Sequence, residues 1–339
     1  MDLQPRQKRP PELFGNFWFN GEPLSLASQQ GNVVLVDFWD SVEANSLRGL
    51  TYVSEWHRRY APDGLLVIGV HTPRFSFQKN PDTIEKSLKR LGVDYPVVMD
   101  NEGVVLRSYD ARVKPTRFLV DKDGFLRVVQ EGNAAPDRFE RAIQALLAEA
   151  GIRGEVPDPV EAQTPIDMPG VVCYPATGEV LMGYLFGSAG NPEGYNPEST
   201  IDYVDPGVYL PGRFYAKGRW IQERELFRYS GVKGEAGSLS VLYEAAEVHA
   251  VLHATVGGPC RVEVRRDQQP LARDAAGEDV VFSEAGQSYV EVGEPRLYNV
   301  VKDKDFGEHV LRLTTVCEGV EVFSLSFIST VVPEFFPGN

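Results

Sequence analysis

At 339 residues the chain exceeds what one hydrophobic core usually organises, so two domains are expected. Apolar content of 42% and charged content of 24% are those of an ordinary globular protein, and no apolar run approaches the roughly 20 residues that span a bilayer. A formal net charge of −14 repels phosphate backbones and disfavours nucleic acid as a partner, leaving solubility as the plain reading of the acidity.

Residues 1–11 are basic with no apolar stretch behind them, which reads as a flexible arm rather than a secretory signal and makes the cytoplasm the expected location. Phe14, Phe17, Trp18 and Phe19 precede Asn20-Gly21, the signal of a hairpin or tight turn. Val33 to Val36, then Asp37-Phe38-Trp39, has the β-branched and aromatic content of a strand buried on both faces. The chain then enters Glu43 to Tyr60, where Leu47, Leu50, Val53, Trp56 and Tyr60 recur at helical spacing. Pro62-Asp63-Gly64 breaks that helix before a second apolar strand, Leu65 to His71, and a loop from Thr72 to Phe77. Asp82 to Leu91 reads as a helix closed by Gly92, Tyr95 to Met99 as a short strand, and Asp100 to Gly103 as a turn. Thr116 to Asp121 and Phe125 to Val129 flank Asp123-Gly124 as a β-hairpin. Pro136 opens a last helix that carries Phe139, Ile143, Leu146 and Leu147 on one face and ends near Ala150.

Residues 151–170 contain Pro157, Pro159, Pro165 and Pro169 among acidic and small residues, which reads as a semi-extended linker. It separates an expected first domain, residues 12–150, from an expected second, residues 171–333. After Val171 apolar and polar residues alternate and turns are frequent. Segments such as Leu239 to Glu244, Val248 to Val256, Arg261 to Arg265, Arg296 to Val301, His309 to Thr314 and Val320 to Phe327 read as seven or more short strands, an antiparallel sandwich.

A buried strand ending in Phe38-Trp39 and leading into a long amphipathic helix resembles the active-site corner of the thioredoxin superfamily. The series Leu24-Ser-Leu…Gly31-Asn-Val-Val-Leu-Val-Asp-Phe-Trp39 is similar to the TlpA and peroxiredoxin-related AhpC/TSA type. Lys114-Pro115-Thr116-Arg-Phe-Leu-Val-Asp121 resembles the segment whose proline is cis in that superfamily, so the resemblance implies a cis Pro115 packed against residues 43–46. It also implies an α/β thioredoxin-like fold for the first domain. Gly218-Arg-Trp220, Pro295 to Val301 and Val322 to Phe327 resemble the domain that follows the thioredoxin-like domain in DipZ-type proteins, which implies an all-β jelly-roll sandwich shaped like a carbohydrate-binding module.

In the thioredoxin superfamily Trp is followed by Cys-x-x-Cys on the first turn of the helix; after Trp39 those two positions are Glu43 and Ser46. Thioredoxin chemistry needs a thiolate at the helix N-terminus and a second thiol one turn on. A carboxylate forms no mixed disulfide, so composition excludes dithiol exchange at this corner. Glu43 is expected in the first helical turn, where the helix dipole favours a carboxylate, with Asp40, Ser41 or Asn45 as a cap. Trp39, Glu43, Ser46 and Pro115 are thus the degenerate active-site positions, and Asp40, His71 and Lys114 extend them into a candidate groove for an extended peptide. His71 has no visible second ligand or base partner, and His57 is expected on the surface. His249 and His253 would sit about 13 Å apart along a strand, too far for one metal. No metal or cofactor is implied.

Cys173, Cys260 and Cys317 lie far apart, none in a Cys-x-x-Cys or metal-ligand spacing. Cys260 and Cys317 could meet across strands, which the sequence leaves open, and a reducing cytoplasm disfavours a disulfide. Trp220 and Tyr298, with Tyr203, Tyr209 and Phe214, are candidates for a sugar platform as well as for core packing. Three functions follow: a redox-silent protein that binds a peptide or protein partner, an AhpC/TSA-like thiol-disulfide oxidoreductase, or a glycan-binding protein acting through its second domain.

Overall fold

In the computed structural model, which describes residues 3–151, 157–232 and 234–335, the chain divides into two units, Met1–Val171 and Val172–Asn339. The first unit contains strands β1 (Trp18–Phe19), β2 (Val33–Trp39), β3 (Leu65–His71), β4 (Val97–Met99), β5 (Thr116–Val120) and β6 (Leu126–Glu131). Its helices are α1 (Ala44–Tyr60), α2 (Pro81–Leu91), α3 (Val104–Ser108) and α4 (Pro136–Glu149). The sheet order is β1-β4-β3-β2-β5-β6, with β2, β3 and β4 parallel and β5 and β6 antiparallel to their neighbours. All seven residues of β2 are buried. Val33 and Leu35 join the core beneath α1 and α4, whereas Val34, Val36 and Phe38 join a second core on the opposite face. This alternation is the period of two expected for a central strand covered on both sides. Helix α1 buries Leu50, Val53, Trp56 and Tyr60, the apolar stripe read from their spacing.

Three details of the first unit differ from expectation. The basic arm is docked, not loose: Gln4 N–H donates to the Arg127 carbonyl at 2.8 Å, Leu126 N–H donates to that of Lys8 at 2.8 Å, and Arg6 pairs with Asp121 at 2.7 Å. Acidic side chains beside β6 supply the anchors that a basic arm needs. Of the expected linker, residues 152–156 lie outside the described residues, and the stretch beyond them is strapped onto α1 and α4. Glu140 accepts from Val160 N–H at 2.7 Å, and Tyr52 donates its hydroxyl to Asp167 at 2.9 Å. His57 is half-buried, its ring 5.6 Å from that of Tyr95, rather than on the surface.

The second unit is mostly β-sheet, consistent with a β sandwich. Its strands are β7 (Val180–Leu181), β8 (Thr200–Tyr203), β9 (Phe214–Gln222), β10 (Phe227–Tyr229), β11 (Gly237–Ala254), β12 (Cys260–Arg266), β13 (Gln269–Pro270), β14 (Val280–Phe282), β15 (Ser288–Val292), β16 (Arg296–Thr315) and β17 (Val320–Ile328). Segments expected as separate short strands fuse into β11 and β16, of 18 and 20 residues. The first half of β11 lies between β16 and β9, the second half between β16 and β17. Register shifts at Ala245/Glu247 and Val248/His249 let the pair bend without ending, as strands do where they pass from one layer to another. No helix among the described residues is long and apolar enough to cross a membrane.

Candidate functional site

The corner lies where β2 ends and α1 begins. Glu43 is extended (φ −108°, ψ 119°), so it caps α1 from outside rather than sitting in the first turn. Its side chain makes no capping bond and instead accepts the Ser46 hydroxyl at 2.5 Å. Burial pushes the Glu43 carboxyl above the usual range; the Ser46 bond works against this and the neighbouring Asp40 adds to it. Ser46 is 1% exposed, so its hydroxyl is not presented to a substrate. The Lys114–Pro115 peptide bond, on the loop facing this corner, is cis.

Behind Glu43 lies a buried polar network. Asp40 Oδ1 accepts from Val42 N–H at 3.0 Å and from Gln78 Nε2 at 2.6 Å, and Oδ2 accepts from Lys114 Nζ at 2.7 Å. The same ammonium donates to the Thr72 carbonyl at 2.8 Å. Burial alone would raise the Asp40 carboxyl; the Lys114 ammonium, the His71 ring and the hydrogen bonds outweigh it and hold the group below its ordinary value. Gln78 uses its whole amide: Nε2 also donates to Ser41 Oγ at 2.9 Å, and Oε1 accepts from the backbone N–H groups of Arg74 and Phe75 at 3.0 and 2.9 Å.

His71 Nε2 lies 3.2 Å from Ser41 Oγ and 3.5 Å from Gln78 Nε2. Both Gln78 amide hydrogens are taken by Asp40 and Ser41, which leaves the Ser41 hydroxyl as the hydrogen-bond partner of Nε2. The other ring nitrogen, Nδ1, is buried and has no hydrogen-bond partner among the described residues. Burial lowers the imidazole to about 4, with Asp40 opposing and Lys114 reinforcing the shift. The ring is therefore neutral at pH 7, and Lys114 supplies the positive charge that Asp40 meets. Asp40, His71 and Lys114 do come together, but largely as internal scaffolding. What faces outward is an open groove lined by Glu43, Asn45, Arg48, Arg74, Arg112 and Lys114, among others.

Beneath the corner, Asp37 on β2 and Arg117 on β5 are direct cross-strand partners, both buried, with an Oδ1–Nε distance of 3.2 Å that is not aligned for a hydrogen bond. Arg117 also donates to Asn133 Oδ1 at 3.0 Å, and Asn133 donates in turn to the Asn45 carbonyl in α1 at 2.6 Å. Sequence reasoning missed Gln78 and this ion pair. The pair had a readable signal, one charge in each of two otherwise apolar strands. Gln78 had none, because it follows a loop whose path only the fold defines.

In the second unit Trp220 and Tyr298 do not form a platform. They are 1% and 2% exposed and belong to the core, as do Tyr203 and Phe214. Trp220 Nε1 donates to the Lys217 carbonyl at 2.9 Å, and the Tyr298 hydroxyl donates to that of Glu294 at 3.0 Å. Their large apolar faces are spent on filling the sandwich, and their polar tips are satisfied by backbone. Tyr209 is half-buried and bonds the Asp205 carboxylate at 2.8 Å.

Residues 13–129 match the AhpC/TSA family and residues 177–327 match the family described as thioredoxin like C-terminal domain. The first unit thus carries a thioredoxin-like AhpC/TSA domain, and the β-rich second unit carries the thioredoxin like C-terminal domain. The chain is homologous to protein DipZ of Mycobacterium bovis, with 31% identity over 278 residues, which are 79% of this chain and 38% of DipZ. The chain therefore spans well under half the length of that relative. The thiol-disulfide oxidoreductase ResA of Geobacillus kaustophilus is 27% identical over 128 residues, 37% of this chain and 70% of ResA. A thiol-disulfide isomerase structure from Corynebacterium glutamicum is similar at 24% identity and a TM-score of 0.38, covering 41% of this chain and 96% of that one.

Proposed function

We propose that the first unit is a redox-silent member of its superfamily that binds an extended peptide or protein segment at the former active-site corner. The observation that carries this reading is the pairing of Glu43 with Ser46 at 2.5 Å, at the positions where the superfamily carries its two sulfurs. No cysteine occurs between residues 13 and 129, so nothing at the corner can form a mixed disulfide. The network of Asp40, Gln78 and Lys114 nevertheless keeps the strand end, the helix start and the cis-proline loop in fixed relation. A protein with no use for that surface has little reason to keep it so fully bonded. Arg48, Arg74, Arg112 and Lys114 line the groove in a chain of net charge −14, which favours a segment bearing carboxylates.

The test is an NMR titration of the full chain with acidic, extended peptides at moderate salt. Binding is expected to shift resonances of residues 40–46 and 112–114, and Arg112→Glu is expected to weaken it. Shifts confined elsewhere, or an affinity indifferent to that charge reversal, would sink the reading.

A further inference from the structure

The chain's thiols all lie in the second unit: Cys173 is exposed, Cys260 is buried and Cys317 is half-buried. Cys260 opens β12, which runs antiparallel to β16 with Val262 opposite Thr315 as the outermost pair of that ladder. Carrying this register two residues outward places Cys260 opposite Cys317. Cys317 lies just past the end of β16 and packs against the core cluster that contains Cys260, and the two thiols are close enough to act on each other electrostatically. Opposed residues on antiparallel strands have Cα atoms about 4.5–5.5 Å apart. A disulfide spans Cα separations of about 4.4–6.8 Å.

The turn that carries Cys317 is pinned on both sides. Cys317 N–H donates to Thr315 Oγ1 at 3.0 Å, Gly319 N–H donates to the Tyr229 carbonyl at 2.9 Å, and the Gly319 carbonyl accepts from Thr255 N–H at 3.1 Å. Gly319 has φ 83°, and a side chain there would run into Thr255 and Val256, so the turn depends on glycine. The two sulfurs also differ in access. Cys260 is 7% exposed within the sandwich core, whereas Cys317 packs against that core and is only half-buried. Burial, with the neighbouring thiol adding to it, pushes the Cys260 thiol up to about 12.

We infer that Cys260 and Cys317 form a dithiol–disulfide site in the second unit that exchanges with an external disulfide, Cys317 entering the reaction and Cys260 completing it. The Cys317 thiol loses its proton and its thiolate attacks one sulfur of a disulfide RS–SR. A Cys317–SR bond forms, the S–S bond of the reagent breaks, and the departing thiolate takes up a proton. Cys260 then loses its proton and attacks Cys317 Sγ, forming the Cys260–Cys317 bond and expelling the second RS⁻, which is protonated in turn. The protein dithiol gives up two electrons and two protons, and the external disulfide becomes two thiols. The oxidant is any accessible disulfide, whether low-molecular-weight or carried by a partner protein. This site is independent of the corner between β2 and α1 and does not rest on the peptide-binding reading.

The experiment uses the full chain carrying Cys173→Ser, incubated while folded with oxidised glutathione and quenched in acid. Intact mass is expected to fall by two hydrogens with both thiols lost, and peptide mapping to join the segments holding residues 260 and 317. Cys260→Ala is expected to stop at a single glutathione adduct on Cys317, and Cys317→Ala to leave the buried Cys260 unmodified until denaturant is added. Glutathione retained on Cys317 while Cys260 is present, separate adducts on both, or no reaction in the folded Cys173→Ser protein would each overturn the assignment. Should either alanine variant fail to fold, the mass and peptide map of the Cys173→Ser parent decide alone.

Discussion

Two regions of this molecule divide between them what an active thioredoxin-like protein holds in one place. The corner between β2 and α1 has the architecture without the sulfur: a strand end, a helix N-terminus and a cis-proline loop locked by Asp40, Gln78 and Lys114, with half-buried Glu43 bonded to the buried Ser46. The second unit has sulfur without that architecture: Cys260 opens β12 and Cys317 lies in the turn after β16, beside the same core. The difference teaches that a fold preserves geometry and reactivity through different residues. The corner's shape rests on the hydrogen-bonded network of Asp40, Ser41, Gln78 and Lys114 behind it, whereas dithiol chemistry there would rest on two side chains alone.

That division is tested most severely by returning the sulfur to the architecture. In a Cys260→Ser, Cys317→Ser background, Glu43→Cys with Ser46→Cys is expected to reduce insulin well above the rate of that background and above the uncatalysed rate. The helix N-terminus and the Lys114 ammonium both favour a thiolate at position 43. A quadruple variant that folds and forms the new disulfide yet stays inert would show that the corner has lost more than its cysteines.

The next largest effect is expected beneath the corner. Arg117→Met leaves Asp37 buried without its countercharge, and truncating one partner of a buried pair costs about 3–5 kcal/mol. Adding Asp37→Leu is expected to recover most of that loss, because an apolar pair of similar volume has no ion to desolvate. Equal and additive losses for the two single variants and the double, read from urea unfolding of the first unit, would mean that Asp37 and Arg117 do not act as a pair.

How much of this was legible in the sequence follows from the range of each interaction. The Val33–Trp39 strand and the α1 stripe were readable because strand and helix periods are local. Pro115 was readable because its neighbours carry a family pattern. The Asp37–Arg117 pair was half-readable: each charge stands out in its own strand, but 80 positions separate them and only the β2–β5 register joins them. Cys260 and Cys317 depend in the same way on the β12–β16 register. Gln78 and the burial of Trp220 and Tyr298 were not legible, since an aromatic in an alternating strand reads alike for a core and for a platform until the second layer is placed. The fusion of β11 and β16 escaped because bulges carry no composition signal of their own.

The corner's buried histidine gives a pH signature on the acid side of neutrality. His71 falls from its ordinary 6.5 to about 4 on folding, so between those values the unfolded chain binds a proton that the folded one does not. Its contribution is therefore whole above pH 6.5 and is lost as pH falls toward 4, a loss of about 3 kcal/mol on the linkage relation. Asp40, held below its ordinary 3.8, loses its share only at still lower pH. Glu43, raised above 4.5, acts in the opposite sense and regains stability as pH falls through its raised value, which softens the slope. Hydrogen exchange of β2 and β3 peptides in urea is expected to show a midpoint that drops from pH 6.5 to 4.5 and flattens in His71→Gln. A wild-type midpoint level across that range would place the ring in contact with water and undo its role as buried scaffolding.

The smallest expected effect has the least obvious sign. Gly49 lies inside α1, where alanine ordinarily stabilises a helix by about 1 kcal/mol. Here a Cβ would run into the Arg117 guanidinium and Asn133 Oδ1, two groups that bond each other at 3.0 Å. Neither can retreat freely, because Arg117 is tied to Asp37 across the strand and Asn133 to the Asn45 carbonyl. Overpacking of this kind costs about 1–3 kcal/mol, which outweighs the gain in propensity. Gly49→Ala is thus expected to destabilise the first unit, and pairing it with Arg117→Met to recover part of the loss by opening the space. If Gly49→Ala instead raised the unfolding midpoint, helix propensity would govern this turn, and the support that reaches from β5 through Arg117 to the start of α1 would be looser than the bonded chain of Asn45, Asn133 and Arg117 requires.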